Sequence, residues 1–316
     1  MTVERSVSVI GLGLMGSALA RTFVDKGWRT TVWNRSSTKT HPLVAIGAVA
    51  AASVTQCISA SRLVVTCLLN PEAVHDVLEG ADPLSCAGRT LIDYTSGTRS
   101  QTWETQERAI KLSFSAYLRG AILATPEHVG LPEAPFYYAG NETAFRSIEG
   151  YFQILGRTSY LGDDPALASL QGCIMMDAFF GLAAGFLQSV AVLKASKMYT
   201  KGGAERFLYD ELVPLLCQNY PKMLGDFAKQ IDNGHYLRED GNSMPLCILV
   251  QTLQNVMQAH SEHGLSNAMF KPLLELMQTR VAQGGAAEEM SSLIATISDP
   301  GPLEDEAVIE SAVLGP

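Results

Sequence analysis

Residues 6–16 read SVSVIGLGLMG, and residues 17–33 continue as SALARTFVDKGWRTTVW. Val7 to Ile10 is a short apolar run that stops at Gly11. Met15 to Lys26 has helical spacing and ends at Gly27, and Thr30 to Trp33 is β-branched and aromatic. Strand, glycine-rich turn, helix and second strand in this order are the opening of a parallel, dinucleotide-binding sheet. Gly11-Leu12-Gly13-Leu14-Met15-Gly16 fits GxGxxG in the one context that gives the motif meaning, after a strand and before a helix. Gly11 permits the tight turn, and Gly13 lets the backbone approach a pyrophosphate. Gly16 lets the helix pack closely, with its N-terminus toward the phosphates.

The end of the second strand selects the cofactor. An NAD site usually carries Asp or Glu there for the ribose hydroxyls. Here the residues are Asn34-Arg35-Ser36-Ser37-Thr38-Lys39. Arg35 can stack on adenine and pair with a 2′-phosphate, Ser36 and Lys39 add a hydroxyl and a charge, and neutral Asn34 does not oppose the phosphate. NADPH is the expected cofactor. Leu68 and Leu69 at the end of the next strand, and Thr95 and Ser96 where another ends, complete its expected contacts.

Outward from this unit the first half keeps alternating. Strand candidates are 63–68, 90–94, 114–118, 136–139 and 158–161. Helical stretches near 38–46, 72–79, 99–111 and 142–155 separate most of them. Such alternation predicts a parallel sheet covered on both faces. After Asp163-Asp164-Pro165 the pattern is helical, beginning with a long stretch over 166–198 that Asp164 can cap. Further helices are expected at 203–231, kinked at Pro214, and at 245–263, 267–282 and 286–297. The domains are thus 1–163, a Rossmann domain, and 164–298, an interdomain helix with a helical substrate and dimerisation domain. An acidic, flexible tail over 299–316 follows. The long helix is apolar nearly all round, so a small neighbouring domain cannot cover it, and burial within a dimer would.

The 316 residues are 47% hydrophobic and 17% charged, enough for two cored domains. A net charge of −9 argues against nucleic acid and anionic membranes as partners. No signal peptide and no uninterrupted apolar run of membrane-spanning length is evident. The six scattered cysteines read as buried thiols of a reducing compartment, so the cytoplasm is the expected location and no metal site is expected.

Together with GLGLMG and TVWNRS, the segments LIDYTSGT (91–98), GAILATPEHVG (120–130), AKQIDNGHY (228–236) and GGAAEEMSSLI (284–294) resemble the imine reductase and reductive aminase branch of the β-hydroxyacid dehydrogenase superfamily. The resemblance spans roughly residues 5 to 297. It implies a Rossmann domain, a long interdomain helix and a helical C-terminal domain exchanged within a homodimer. It also implies hydride transfer from NADPH to a C=N bond, in a cleft that both subunits build.

The chain departs from that pattern at the chemistry. Where the family carries lysine, aspartate or tyrosine near the start of the interdomain helix stands Gly172. A tyrosine two turns later is Phe180, and a loop asparagine is Ser96. The nearest acid is Asp177, which at about 100° per residue lies about 140° from Gly172 and about 60° from Phe180. It is expected to hold helices together, with catalysis as the competing role. Asp177, Ser96 and Tyr94 are the catalytic candidates. Ala124, Gly172, Met176, Phe179, Phe180, Tyr220 and Met244 are the expected substrate pocket, greasy and adaptable. Hydride addition to a carbonyl needs a proton donor or oxyanion site, whereas addition to an iminium discharges a cation and needs no proton in that step. The expected substrate is an apolar cyclic imine or iminium. Alternatives are reduction of a carbonyl or activated C=C bond, or an NADPH-binding protein without catalysis. His128 reads as a loop residue, and His260 and His263 as a helix C-terminus rather than metal ligands.

Overall fold

A computed structural model describes residues 5–198, 202–237 and 244–299. The chain divides into two compact units, Met1–Phe180 and Gly181–Pro316. The first is built on one sheet of eight strands: β1 (Ser6–Ile10), β2 (Arg29–Trp33), β3 (Val49–Ala50), β4 (Leu63–Thr66), β5 (Thr90–Asp93), β6 (Ala116–Ile122), β7 (Pro135–Gly140) and β8 (Arg157–Tyr160). Their order is β3-β2-β1-β4-β5-β6-β7-β8. β1 and β4 are buried along their whole length because helices cover both faces. One face packs Leu19, Phe23, Trp28, Phe136, Tyr138 and Phe152, and the other Ile58, Val74, Leu78, Phe114 and Tyr117.

The sheet is mixed, which corrects the expectation of a parallel one: β6 and β7 run antiparallel. The connection explains it. Residues 123–134 hold only the short 3₁₀ turn Pro126–His128, and a parallel return needs a crossover, usually a helix. β7 and β8 are joined through the helix Glu142–Phe152 and are parallel.

Helix starts follow the side chains that can cap them. Asn70 accepts from Ala73 N–H ahead of Pro71–Glu79, and Thr98 with Gln101 forms a capping box ahead of Arg99–Lys111. Asp164 accepts from Ala166 N–H at 3.0 Å, at the head of the long helix Ala166–Ser196.

The second unit is helical, as expected, but more broken. The stretch expected over 203–231 is the helix Gly203–Arg206, a π-helical turn Phe207–Leu212, then Val213–Gln218 and Tyr220–Asn233. Pro214 has no N–H to give, and the backbone widens just ahead of it. Leu246–Glu262 and Lys271–Arg280 follow. The expected helix 286–297 is a 3₁₀ turn, Met290–Ser292, leading into Leu293–Ser298. The expected acidic tail lies outside the described residues from residue 300 onward. Only Leu246, Met277 and Leu293 form the unit's fully buried apolar cluster among the described residues.

The long helix is largely uncovered within one chain. Leu170, Ile174, Phe179, Phe180, Leu182 and Leu187 are all more than half exposed. By length and composition it would suffice to cross a membrane, a property that an uninterrupted-run criterion overlooks because Asp177 and Gln188 fall inside it.

Candidate active site and cofactor cradle

The glycine turn has the geometry its sequence requires. Gly11 sits at φ +96°, and a Cβ there would strike the Cys67 carbonyl and the Leu68 side chain. A Cβ on Gly16 would fall on the Gly11 carbonyl oxygen, so only glycine lets the helix Leu14–Asp25 come this close. Gly13 differs: a Cβ there meets nothing within 4 Å. The fold leaves this space free above a helix N-terminus that no side chain caps and that has no acid in its first turn. Unused N–H groups and open space are what a pyrophosphate needs. Leu14 lies exposed at the lip and Met15 half-buried behind it.

Asn34 locks the turn from the second strand. Its Oδ1 accepts from Leu12 N–H at 2.9 Å, and its Nδ2 donates to the Ser36 carbonyl at 3.1 Å. Arg35, Ser36 and Lys39 are exposed beside it, and Ser36 Oγ lies 2.9 Å from Thr38 Oγ1. Leu69 is exposed, and Leu68 N–H donates to Thr95 Oγ1 at 3.0 Å. Thr95 is therefore buried and occupied in tying the end of β4 to the end of β5.

A cavity of about 400 Å³ opens where β4, β5 and β6 end and the long helix begins. Met15, Leu68, Ser96, Gly120 to Leu123, Gly172 and Met176 line it, along with Cys67, Tyr94, Arg119, Ser169 and Cys173. No aspartate, glutamate, lysine or histidine does, among the described residues. A Cβ on Gly172 would come within 4.0 Å of Ala121, so a side chain at this position would enter the cavity. Beneath the floor, Arg119 Nη1 donates to Asp93 Oδ2 at 2.6 Å, with both side chains buried. Asp93 also accepts from Thr66 Oγ1, Thr95 N–H and Tyr117 O–H. Burial pushes the Cys67 thiol up to about 12, with the Asp93 charge adding to the effect.

Residues 6–162 match the NAD binding domain of 6-phosphogluconate dehydrogenase, and residues 164–299 match the C-terminal domain described as NADPH-dependent reductive aminase-like. An NADPH-dependent reductive aminase of Aspergillus oryzae is 32% identical over 296 residues, covering 92% of this chain and 97% of that protein. This chain belongs to the reductive aminase and imine reductase family. Among solved structures, a reductive aminase from Aspergillus terreus in complex with NADPH and ethyl levulinate is 35% identical and superposes with a TM-score of 0.86. The match covers 94% of this chain and all of that one. An imine reductase from the same organism, in complex with NADPH4 and dibenz[c,e]azepine, gives 0.83 at 35% identity over 93% and 99% of the two chains.

For a reductive aminase relative the remaining candidates fall into place unevenly. Tyr94 borders the cavity, but its hydroxyl is 2.6 Å from the Tyr138 hydroxyl inside the core. Burial and Tyr138 raise its pKa well above the ordinary phenol value. Its ring occupies the space that any side chain at residue 120 would need. Ser96 is exposed at the cavity edge. Asp177 is exposed and makes no hydrogen bond or ion pair among the described residues. It does not border the cavity, although Met176 does. Of the expected substrate wall, Gly172 and Met176 line the cavity. Ala124 instead packs on the sheet core, and Phe179 and Phe180 are exposed and in edge contact with each other at 5.5 Å. Tyr220 and Met244 belong to the second unit, half-buried and exposed respectively. His128 Nδ1 lies 2.6 Å from Thr125 Oγ1, and His260 Nδ1 2.9 Å from Asn267 Oδ1. No group of metal-binding side chains occurs among the described residues.

The Asp93–Arg119 pair and the cavity cysteines, Cys67 and Cys173, escaped sequence reasoning. A charged residue in each of two otherwise apolar strands, at the end of one in LIDY and in the middle of the other in YLRGAI, was the available signal.

Proposed function

We propose that the protein is an NADPH-dependent reductase of C=N bonds, acting on an apolar cyclic imine or iminium as a homodimer. The observation that carries this is a cavity beside the glycine turn with no carboxylate, lysine or histidine on its wall among the described residues. When bound, NADPH supplies the hydride. Gly11, Gly13 and Gly16 give the pyrophosphate its turn, and Arg35, Ser36 and Lys39 give the 2′-phosphate its charge and hydroxyl. Thr95 holds the loop at Leu68 in place, and Ser96 offers a hydroxyl to the nicotinamide amide or the substrate.

A cavity without an acid suits a substrate that arrives protonated, because reduction of an iminium requires no proton in that step. The buried Arg119 does not repel such a cation, since Asp93 makes the pair neutral as a unit. Met176 lends an adaptable wall. Phe179, Phe180, Tyr220 and Met244 are assigned to the part of the substrate wall that the partner subunit completes. Asp177, exposed and not on the cavity lining, is assigned to the dimer interface rather than to catalysis. Contrary to the expectation of six buried thiols, only Cys57 and Cys86 are buried and Cys173, Cys217 and Cys247 are exposed, but all six are unpaired, which fits a cytoplasmic location.

The test is NADPH consumption with a lipophilic cyclic imine from pH 5 to 9, for wild type and Asp177→Asn. The expected result is turnover only where the substrate is protonated, on the same curve for both proteins. A variant that keeps its fold and NADPH affinity but loses most of its rate would make Asp177 catalytic. Tight NADPH binding without turnover of any imine would refute the C=N assignment.

A further inference from the structure

The Arg119–Asp93 pair is unevenly matched. Asp93 is saturated: Oδ1 accepts from Thr66 Oγ1 at 2.8 Å and Thr95 N–H at 2.9 Å, and Oδ2 from Arg119 Nη1 at 2.6 Å and Tyr117 O–H at 3.3 Å. Arg119 is the reverse. A guanidinium carries five N–H donors on three nitrogens. Nη1 is on Asp93, the Tyr117 hydroxyl also lies against the guanidinium, and Nε is buried without a partner. The side chain is only 4% exposed, so bulk water does not satisfy it. Burial works against its charge, but Asp93 and Tyr117 outweigh that and hold its pKa above the ordinary value. It is a cation at every working pH.

A buried donor left unmet calls for an acceptor outside the protein. Arg119 borders an open space, the cavity already described. Its partner constrains what can sit there. Asp93 cancels the positive charge, so a carboxylate would be buried with a net negative charge. A neutral oxygen acceptor takes the free donors with no such cost. We propose that Arg119 is a ligand-positioning residue whose free guanidinium N–H groups hold a neutral carbonyl-type oxygen of a molecule bound in this cavity. The inference rests on the reading that cofactor and substrate meet in this cavity. Two sources carry that chemistry, the carboxamide of the nicotinamide ring and an oxygen on the substrate. The second would extend the pocket's preference from bare hydrocarbon imines to imines or ketones with a carbonyl oxygen at that depth.

The test uses the full chain and reads binding rather than turnover. In the cofactor arm, dissociation constants are measured for NADP⁺ and for its thiocarboxamide analogue, whose sulfur is a poor acceptor. In the substrate arm, the NADP⁺-loaded protein is titrated with cyclohexanone and with methylenecyclohexane, which has the same shape and no oxygen. A hydrogen bond to a charged donor implies a preference for oxygen of about 10-fold to 100-fold in one arm. The arm that shows it identifies the source. Arg119→Met is expected to remove that preference and Arg119→Lys to keep part of it. Because Arg119→Met strands a buried carboxylate, Asp93→Asn/Arg119→Met is measured beside it, and the wild-type ratios stand even if both variants fold poorly. Ratios near one in both arms would overturn the inference and leave the guanidinium to a resident water. Failure of NADP⁺ to bind at all would instead remove the cofactor reading on which the inference depends.

Discussion

Two glycines three residues apart separate folding from binding. Gly13 has φ −70° and ψ −171°, which alanine adopts freely, and its Cβ would enter open space. Gly13→Ala is therefore expected to leave stability within about 0.5 kcal/mol of wild type. It should also weaken NADPH binding on the order of tenfold or more, because the methyl occupies the pyrophosphate's place. Gly16→Ala should do the reverse damage, costing more than about 2 kcal/mol since its methyl would overlap the Gly11 carbonyl. Urea unfolding and fluorescence titration of both variants check this, and equal NADPH affinity for Gly13→Ala and wild type would move the pyrophosphate elsewhere. Arg35→Ala is expected to raise the dissociation constant for NADPH and leave that for NADH nearly unchanged, which a paired titration reads directly. The tight turn at Gly11 and the close packing at Gly16 were legible in the sequence because the motif's spacing falls between a strand and a helix. The Arg119–Asp93 pair was not. Its members are 26 residues apart, and only the parallel register of β5 and β6 sets them side by side.

At the scale of elements, the head of the long helix hangs on one side chain. Asp164 accepts from Ala166 N–H and from Trp103 Nε1, the latter at 2.9 Å, and lies 3.5 Å from Arg99. Partial burial works against its charge, but Trp103, the Ala166 N–H and Arg99 prevail and hold its carboxyl below the usual aspartate value. A depressed carboxyl stabilises the fold above the unfolded-state value, near pH ~4, and loses that contribution as pH falls through the lower folded value. Asp164→Ala should cost about 1 kcal/mol at pH 7, mostly as a lost cap. The gap to wild type should narrow below pH ~4; a gap that stays constant down to pH 3 would mean that charge has no part in it. Asp164-Pro165 announced this helix start in the sequence. The antiparallel β7 was less visible, because strand composition does not encode direction. The short 3₁₀ connection that forces the reversal reads as an ordinary loop.

The whole molecule poses a problem of coverage that one chain does not solve. The first unit closes two large apolar clusters around its sheet, whereas the second closes only Leu246, Met277 and Leu293 among the described residues. Leu182 and Leu187 on the long helix, Leu224 and Ile248 beyond it, are each more than half exposed. A helical unit with so small a core has too little buried apolar area to offset its chain entropy. The same faces left open in water would also drive aggregation. Self-association with two-fold symmetry covers such a surface with its own copy and closes the assembly at two. The chain is therefore expected to sediment at twice its own mass, and its melting temperature should rise with protein concentration, as mass action requires when folding and assembly are linked. Leu182→Glu, which puts a charge on that surface, should shift the species toward monomer and lower the melting temperature. It should leave the glycine turn able to bind NADPH wherever the first unit stays folded. A wild type that sediments as a stable monomer, with melting independent of concentration, would defeat the dimer. It would also take from the proposed site the wall assigned to Phe179, Phe180, Tyr220 and Met244.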